Sequence, residues 1–235
     1  MTPAPHPLVD TLQQAMRAAA DPAKAGPMQA YMKTGQPFYG IQSGPRRKLF
    51  KEAARRFPVG TREAYETVVL ALWNGTYRED QYQALEAAEH FKRFRTPEAW
   101  PLYEHLARTA TNWDTLDWIA AKLLGPLVLQ HRAFEADLER WSRDDNMWVR
   151  RAALLAHLHH RAETNTALLS ALILRLAHER EFFIRKAIGW VLRDYSYANP
   201  GWVAAFVAAH EDVLSGLSRR EALRQIARRR DASEK

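Results

Sequence analysis

Leu8, Leu12 and Met16 recur every four residues, the spacing that puts apolar side chains on one face of a helix. Asp21 followed by Pro22 then reads as an N-cap with proline in the first helical position, so two short helices open the chain. A turn-rich stretch, TGQPFYGIQSGP, separates them from RRKLFKEAARRF, where Ser43 is a plausible cap and Leu49, Ala53 and Phe57 share a face. Thr61 precedes REAYETVVLALWNG, and Gly75 can terminate that helix. Thr96-Pro97 and Asn199-Pro200 repeat the cap-then-proline pattern, and Ser218 with Glu221 has capping-box spacing. About thirteen helical segments follow from this punctuation, with no alternating run that would argue for a strand. The predicted fold is all-α.

Internal similarity separates a closed bundle from a repeat array. MWVRRAALLAHL from Met147 and FFIRKAIGWVLR from Phe182 match at an offset of 35 residues, with Val149-Arg150-Arg151-Ala152 falling on Ile184-Arg185-Lys186-Ala187. That period is close to the length of a helical-hairpin repeat. An α-solenoid of stacked antiparallel helix pairs is therefore favoured. No low-complexity linker interrupts it, so one domain is expected over residues 1–235. Basic pairs recurring at one position of each repeat would line its concave groove with positive charge.

Composition sharpens the choice of partner. The 34 Lys and Arg against 27 Asp and Glu leave a net charge of +7, which favours a polyanion such as nucleic acid. The absence of cysteine excludes disulfides, thiolate nucleophiles and Cys-ligated zinc. MTPAPHPLVDTLQQ has no basic start followed by an apolar run, unlike a signal peptide. The longest apolar stretches, TVVLALW and ALLSALILRLA, fall short of the roughly 20 residues that span a bilayer. A soluble, cytoplasmic protein is the expectation.

Candidate chemistry is sparse. Trp113 and Asp117 are spaced i, i+4 and share a helix face, where an indole can cover a sugar or a cation while the acid stabilises developing positive charge. Spacing alone leaves open that Asp114 or Asp117 caps a helix and Trp113 is core. Arg150 and Arg151 are adjacent, so one of them can face a groove and hold a phosphate; a solvated helix face is the other reading. Trp190 in KAIGWVLR reads as repeat core, and the hydroxyl of Tyr31 could reach a phosphate or a backbone group. The carboxy-terminal SRREALRQIARRR carries six arginines and one apolar side, suiting either a duplex flank or a solvated cap. His157 and His160 in HLHHR have a possible metal spacing, but no carboxylate or cysteine accompanies them in a recognisable pattern, so no metal is expected. Walker, dinucleotide, nucleophile-elbow and zinc-deaminase signatures are missing, and with them any support for the corresponding activities.

Taken in order, PMQAYMK with GIQSGPRRKLF, LWNGTYREDQ, NWDTLDWIA, DNMWVRRAA and EFFIRKAIGWVLR resemble the AlkD family of DNA alkylation repair glycosylases, from about Pro22 to about Arg230. The resemblance implies a solenoid of HEAT-like repeats whose basic concave face holds duplex DNA. It implies that Asp117 is the catalytic aspartate, that Trp113 and Trp190 line the deoxyribose of the lesion, and that Arg151 meets the DNA backbone with Tyr31 beside it. Further DNA contacts are implied at Lys33, Arg46, Arg47, Arg150, His159, Arg185 and Lys186. The implied reaction is monofunctional hydrolysis of cationic N3- and N7-alkylated purines in duplex DNA without base extrusion, by a monomer and with no cofactor. Two positions depart from the family pattern: Asn112 stands where a second tryptophan precedes Trp113 in some relatives, and His159 where a lysine is usual. The competing expectations are a non-catalytic module that binds damaged DNA and a protein-binding scaffold, the latter poorly matched to the charge.

Overall fold

The structure, a computed structural model, describes residues 6–233, with side chains as far as Arg228. The first five residues of the amino-terminal stretch and the side chains of Arg229 and Arg230 in the basic carboxy-terminal run lie outside the described residues. Helices fall into two compact units, Met1–Leu102 and Tyr103–Lys235, and no strand occurs among the described residues.

The first unit contains α1 (Pro7–Ala18), α2 (Pro22–Met32), α3 (Ser43–Arg56), α4 (Arg62–Trp73) and α5 (Arg78–His90). Leu8, Leu12 and Met16 are fully buried, so the opening periodicity is core, and Asp21 caps α2 by accepting from the Ala23 amide at 3.1 Å. Thr61 likewise caps α4. The register of α3 differs from the expected Leu49, Ala53 and Phe57 face: Arg46, Phe50, Ala53 and Ala54 point inward, and Gln42 rather than Ser43 stands at the cap. The inward face was hidden because one of its members is an arginine, held 4.4 Å over the Tyr82 ring.

The turn-rich stretch before α3 is a tucked loop rather than a surface linker. Phe38, Tyr39 and Ile41 are buried, and the fully buried Glu79 accepts the amides of Tyr39, Gly40 and Ile41 at 3.0, 2.9 and 3.0 Å. One carboxylate thus satisfies three buried donors that the loop could not pair by itself. Gly40 has φ +87°, and a Cβ there would lie 2.1 Å from the Asp21 carbonyl oxygen. Gly40→Ala is expected to cost about 2–4 kcal/mol through left-handed strain and overpacking, and to lower the melting temperature by roughly 5–10 °C in a thermal unfolding scan.

The second unit shows the stacking expected from the 35-residue offset. After α6 (Trp100–Thr109), which spans the boundary, α7 (Trp113–Trp118), α10 (Met147–Leu155), α12 (Phe182–Tyr195) and α14 (Gly216–Ser233) are successive neighbours in one layer. Against it pack α9 (Glu135–Trp141), α11 (Thr166–Leu176) and α13 (Pro200–Ala209). Val149 and Ile184, one period apart, are both fully buried, as are Ala152 and Ala187. Asn199 caps α13 as the cap-then-proline pattern predicted.

The capping-box expectation at Ser218 and Glu221 is overturned. Ser215 Oγ accepts the Ser218 amide at 3.0 Å, and Ser218 lies inside α14, where its hydroxyl donates to the Arg185 carbonyl at 2.8 Å. Both residues serve the α12–α14 contact, made possible by Gly189, where a Cβ would come within 2.5 Å of Glu221 Cβ.

Immediately after α7 the chain widens into a π-helical segment, Ile119–Leu124, before α8 (Gly125–Gln130). Pro126 accounts for the widening: proline has no amide for an i→i−4 bond, and the Gly125 amide just before it reaches five residues back to the Ala120 carbonyl. Packing is close there, since a Cβ on Gly125 would lie 2.8 Å from the Ala156 carbonyl oxygen.

Candidate active site

α7 starts sharply at Asn112, in extended conformation, whose side-chain oxygen accepts the Trp113 amide at 2.8 Å. From that start Trp113 and Asp117 fall on one face, both part-exposed. The Asp117 carboxylate is 13% exposed and meets α10 through Arg151, whose Nε and Nη2 donate to Oδ1 and Oδ2, each at 2.8 Å. This fork-to-carboxylate geometry is the strongest form of a charge-assisted pair. Arg151 is only 3% exposed, and its remaining terminal nitrogen, Nη1, donates to the Phe183 carbonyl of α12. The Phe183 ring stands 5.7 Å from the guanidinium carbon, and Trp148 packs on Phe183 at 5.0 Å between centroids. Residues 117, 151 and 183, far apart in sequence, therefore form one linked cluster across three adjacent helices.

Two opposing effects act on Asp117. Burial pushes its pKa above the ordinary aspartate value, the paired guanidinium pulls it down, and the neighbouring Asp114 charge adds to the rise. Burial wins, so this carboxylate holds its proton to a higher pH than an exposed aspartate does. Trp190 lies two turns beyond Phe183 on α12, on the same face, and is part-exposed like Trp113. The two indoles thus sit on the two helices that flank α10 in the layer.

The other residues singled out from sequence divide into exposed and engaged groups. Tyr31 is 75% exposed at the end of α2, and Lys33 is exposed in left-handed conformation as its C-cap. Arg47 is exposed and reaches Glu86 at 3.3 Å, whereas Arg46 is 6% exposed, its guanidinium pKa lowered by burial. Arg150 is held on several sides: Glu179 accepts from it at 2.7 and 3.0 Å, and the Asp144 and Asp145 carbonyls at 2.7 and 2.9 Å. Arg185 donates to the Glu179 carbonyl at 2.9 Å, and Lys186 to Glu221 at 2.6 Å. His159 keeps a half-exposed side chain on a left-handed backbone, φ +70°, and its amide donates to Asp194 Oδ2 at 2.9 Å.

Sequence reading missed Asp194 and Glu179 and gave Glu221 only a capping role, whereas these acids meet the His159 amide, Arg150 and Lys186. A signal existed: His159 precedes Asp194 by 35 residues, Lys186 precedes Glu221 by 35, and Asp144 precedes Glu179 by the same period. Asp144 binds Arg108 at 2.8 Å and Glu179 binds Arg150 at 2.7 Å, so these two acids, one period apart, each pair with an arginine of a preceding helix.

The sequence matches the family model of DNA alkylation repair enzymes over residues 12–226. The chain belongs to that family. It is also similar to a solved structure from Enterococcus faecalis described as a predicted DNA alkylation repair enzyme, at 33% identity and a TM-score of 0.77, covering 87% of this chain and 95% of that one. No curated protein matches the sequence. The AlkD-like resemblance and the all-α architecture of stacked helices are thus borne out, and Trp113, Asp117, Arg151 and Trp190 all lie within the matched span.

Among the described residues no three His, Cys, Asp or Glu side chains gather as a metal site, and no helix is long and apolar enough to cross a membrane. His157 and His160 are buried instead: burial drives the His157 pKa down to about 4, and His160 Nε2 donates to the Gly125 carbonyl at 2.8 Å. They belong to the packing of the α10–α11 turn on the start of α8.

Proposed function

We propose that the protein is a monofunctional DNA glycosylase that hydrolyses the N-glycosidic bond of cationic N3- and N7-alkylated purines in duplex DNA, with residues 1–235 acting as one DNA-binding and catalytic domain. The observation that carries this reading is the Asp117 carboxylate, mostly buried, held in a bidentate pair, and sharing its helix face with a part-exposed indole in a chain of the alkylation repair family. An alkylated purine already bears positive charge, so it departs as a neutral base without a general acid. As the C1′–N bond breaks, its electron pair leaves with the base and cationic character passes to the sugar. Asp117 stabilises that cation electrostatically, and the Trp113 and Trp190 faces cover it. Water then adds to C1′ and loses a proton to solvent, leaving an abasic site. Arg151 occupies one lone pair on each carboxylate oxygen, so one on each stays available to orient the water. Because these groups address the sugar, the base need not be extruded. No metal or organic cofactor is needed for this balance.

Release of 7-methylguanine and 3-methyladenine from alkylated duplex DNA tests the proposal; salt-sensitive binding with no abasic product overturns it in favour of a damage-binding module.

Acid sensitivity follows from the raised Asp117 pKa. The ionised form is the active one, so single-turnover base release is expected to fall as pH drops through a value above the ordinary aspartate range. Stability moves the opposite way: a raised folded-state pKa favours the fold at pH below the unfolded value and loses that contribution as pH rises through the folded value. A pH–rate profile whose acid limb lies at or below the ordinary aspartate range would contradict the assignment.

A further inference from the structure

We propose that α3 is a phosphate-binding rail for one strand of the duplex, with Lys48, Lys51 and Arg55, together with Arg47, as its contacts; this rests on the reading of the protein as one that binds duplex DNA. α3 carries six cations, Arg46, Arg47, Lys48, Lys51, Arg55 and Arg56, against the single acid Glu52. That excess of five compares with a net charge of +7 for the whole chain, so one helix holds most of the imbalance. The charge is also displayed: Arg46, Phe50, Ala53 and Ala54 turn inward, while Arg47, Lys48, Lys51 and Arg55 are exposed and line a shallow cleft of about 430 Å³ with Gly44 and Glu52.

Pairing sets these residues apart from many other cations of the protein. Arg62, Arg108, Arg132, Arg150, Arg151 and Arg175 each meet a carboxylate. Among the described residues Lys48, Lys51 and Arg55 form no ion pair, and Arg47 has a single contact, to Glu86 at 3.3 Å. Helix stability does not account for the row. Arg47, Lys51 and Arg55 repeat at i, i+4, where like charges destabilise a helix. A solvated face gains nothing from that arrangement, whereas a polyanion does. The spacing fits too: a rise of 1.5 Å per residue sets successive members about 6 Å apart, close to the separation of neighbouring phosphates along a strand. Two lysines supply point charges that tolerate any base sequence.

The test is the salt dependence of binding to an undamaged duplex, read by fluorescence anisotropy, which does not depend on base release. Each phosphate contact contributes about 0.9 to the slope of log K against log salt, so Lys48→Ala, Lys51→Ala and Arg55→Ala combined should lower the slope by about 3. Affinity near 0.1 M salt should fall about five- to tenfold per cation removed. Lys51→Arg should keep the slope, and so should Arg140→Ala, which removes a cation already paired with Asp137 at 2.7 Å. All three side chains are exposed and their removal relieves like-charge repulsion along α3, so the melting temperature should not fall; should the triple variant not fold, the single Lys48→Gln and Lys51→Gln variants carry the same reading. An unchanged slope and affinity overturns the rail. A wild type that binds duplex with this slope yet releases no base leaves the rail standing and overturns the glycosylase reading alone.

Discussion

Asp117→Asn is expected to slow single-turnover release of 7-methylguanine by about 10²–10³-fold, the range found when one preorganised electrostatic group is removed from a site, or about 2.7–4 kcal/mol of barrier. Asparagine keeps the size of the side chain and one acceptor oxygen for Arg151, so geometry changes little while the charge disappears. The effect should therefore fall on the chemical step and spare the affinity for undamaged duplex. Arg151, 3% exposed, loses its counter-ion in this variant but keeps the Phe183 carbonyl, so a lower melting temperature is expected with the fold retained. Release within about threefold of the wild type would remove Asp117 from the reaction. A neutral substrate sharpens the comparison. An undamaged purine needs leaving-group protonation that nothing in the proposed mechanism supplies, so the wild type should not release it.

Much of this arrangement was legible in the sequence because its causes are local or periodic. Leu8, Leu12 and Met16 point one way on any helix, and the 35-residue offset between α10 and α12 reports equivalent packing positions. The candidate site was legible only in part. Trp113 and Asp117 share a face by spacing, but the partner of Asp117 is 34 residues away and reaches it only because α10 lies beside α7. Arg151 reads as a DNA contact from its place in the sequence, whereas its two-pronged pair with Asp117 and its contact with the Phe183 carbonyl become visible only once α7, α10 and α12 are side by side.

Other features were hidden for the same reason. Ser218 and Glu221 obey a local capping pattern, yet a neighbouring helix recruits both side chains. The stretch PFYGI reads as a turn because proline and glycine punctuate it, and only Glu79, some forty residues on, turns it into buried structure. Arg46 breaks the apolar face of α3 because an aromatic ring accepts its guanidinium where the pattern calls for a hydrocarbon.

Arg151→Met carries the second large expectation, and its value lies in what it separates. Removing one member of a mostly buried pair leaves the other uncompensated, at a cost of about 3–5 kcal/mol near neutral pH. Asp117 can escape part of that cost by taking up a proton. Its pKa is already raised by burial against the pull of the guanidinium, and without that pull it rises further. The variant should accordingly regain stability as pH falls, lose base release at neutral pH, and show its acid limb displaced upward from that of the wild type. Arg151→Lys keeps a positive charge but gives up the two-pronged contact and the Phe183 carbonyl, so its limb should lie between the two. Replacing both partners, as Arg151→Met with Asp117→Leu, should restore much of the stability without any activity, because a charge-free pair no longer has a desolvated ion to accommodate. If Arg151→Met instead weakens DNA binding while the acid limb stays where it was, the guanidinium acts on the phosphate backbone and the positioning of Asp117 falls to other groups.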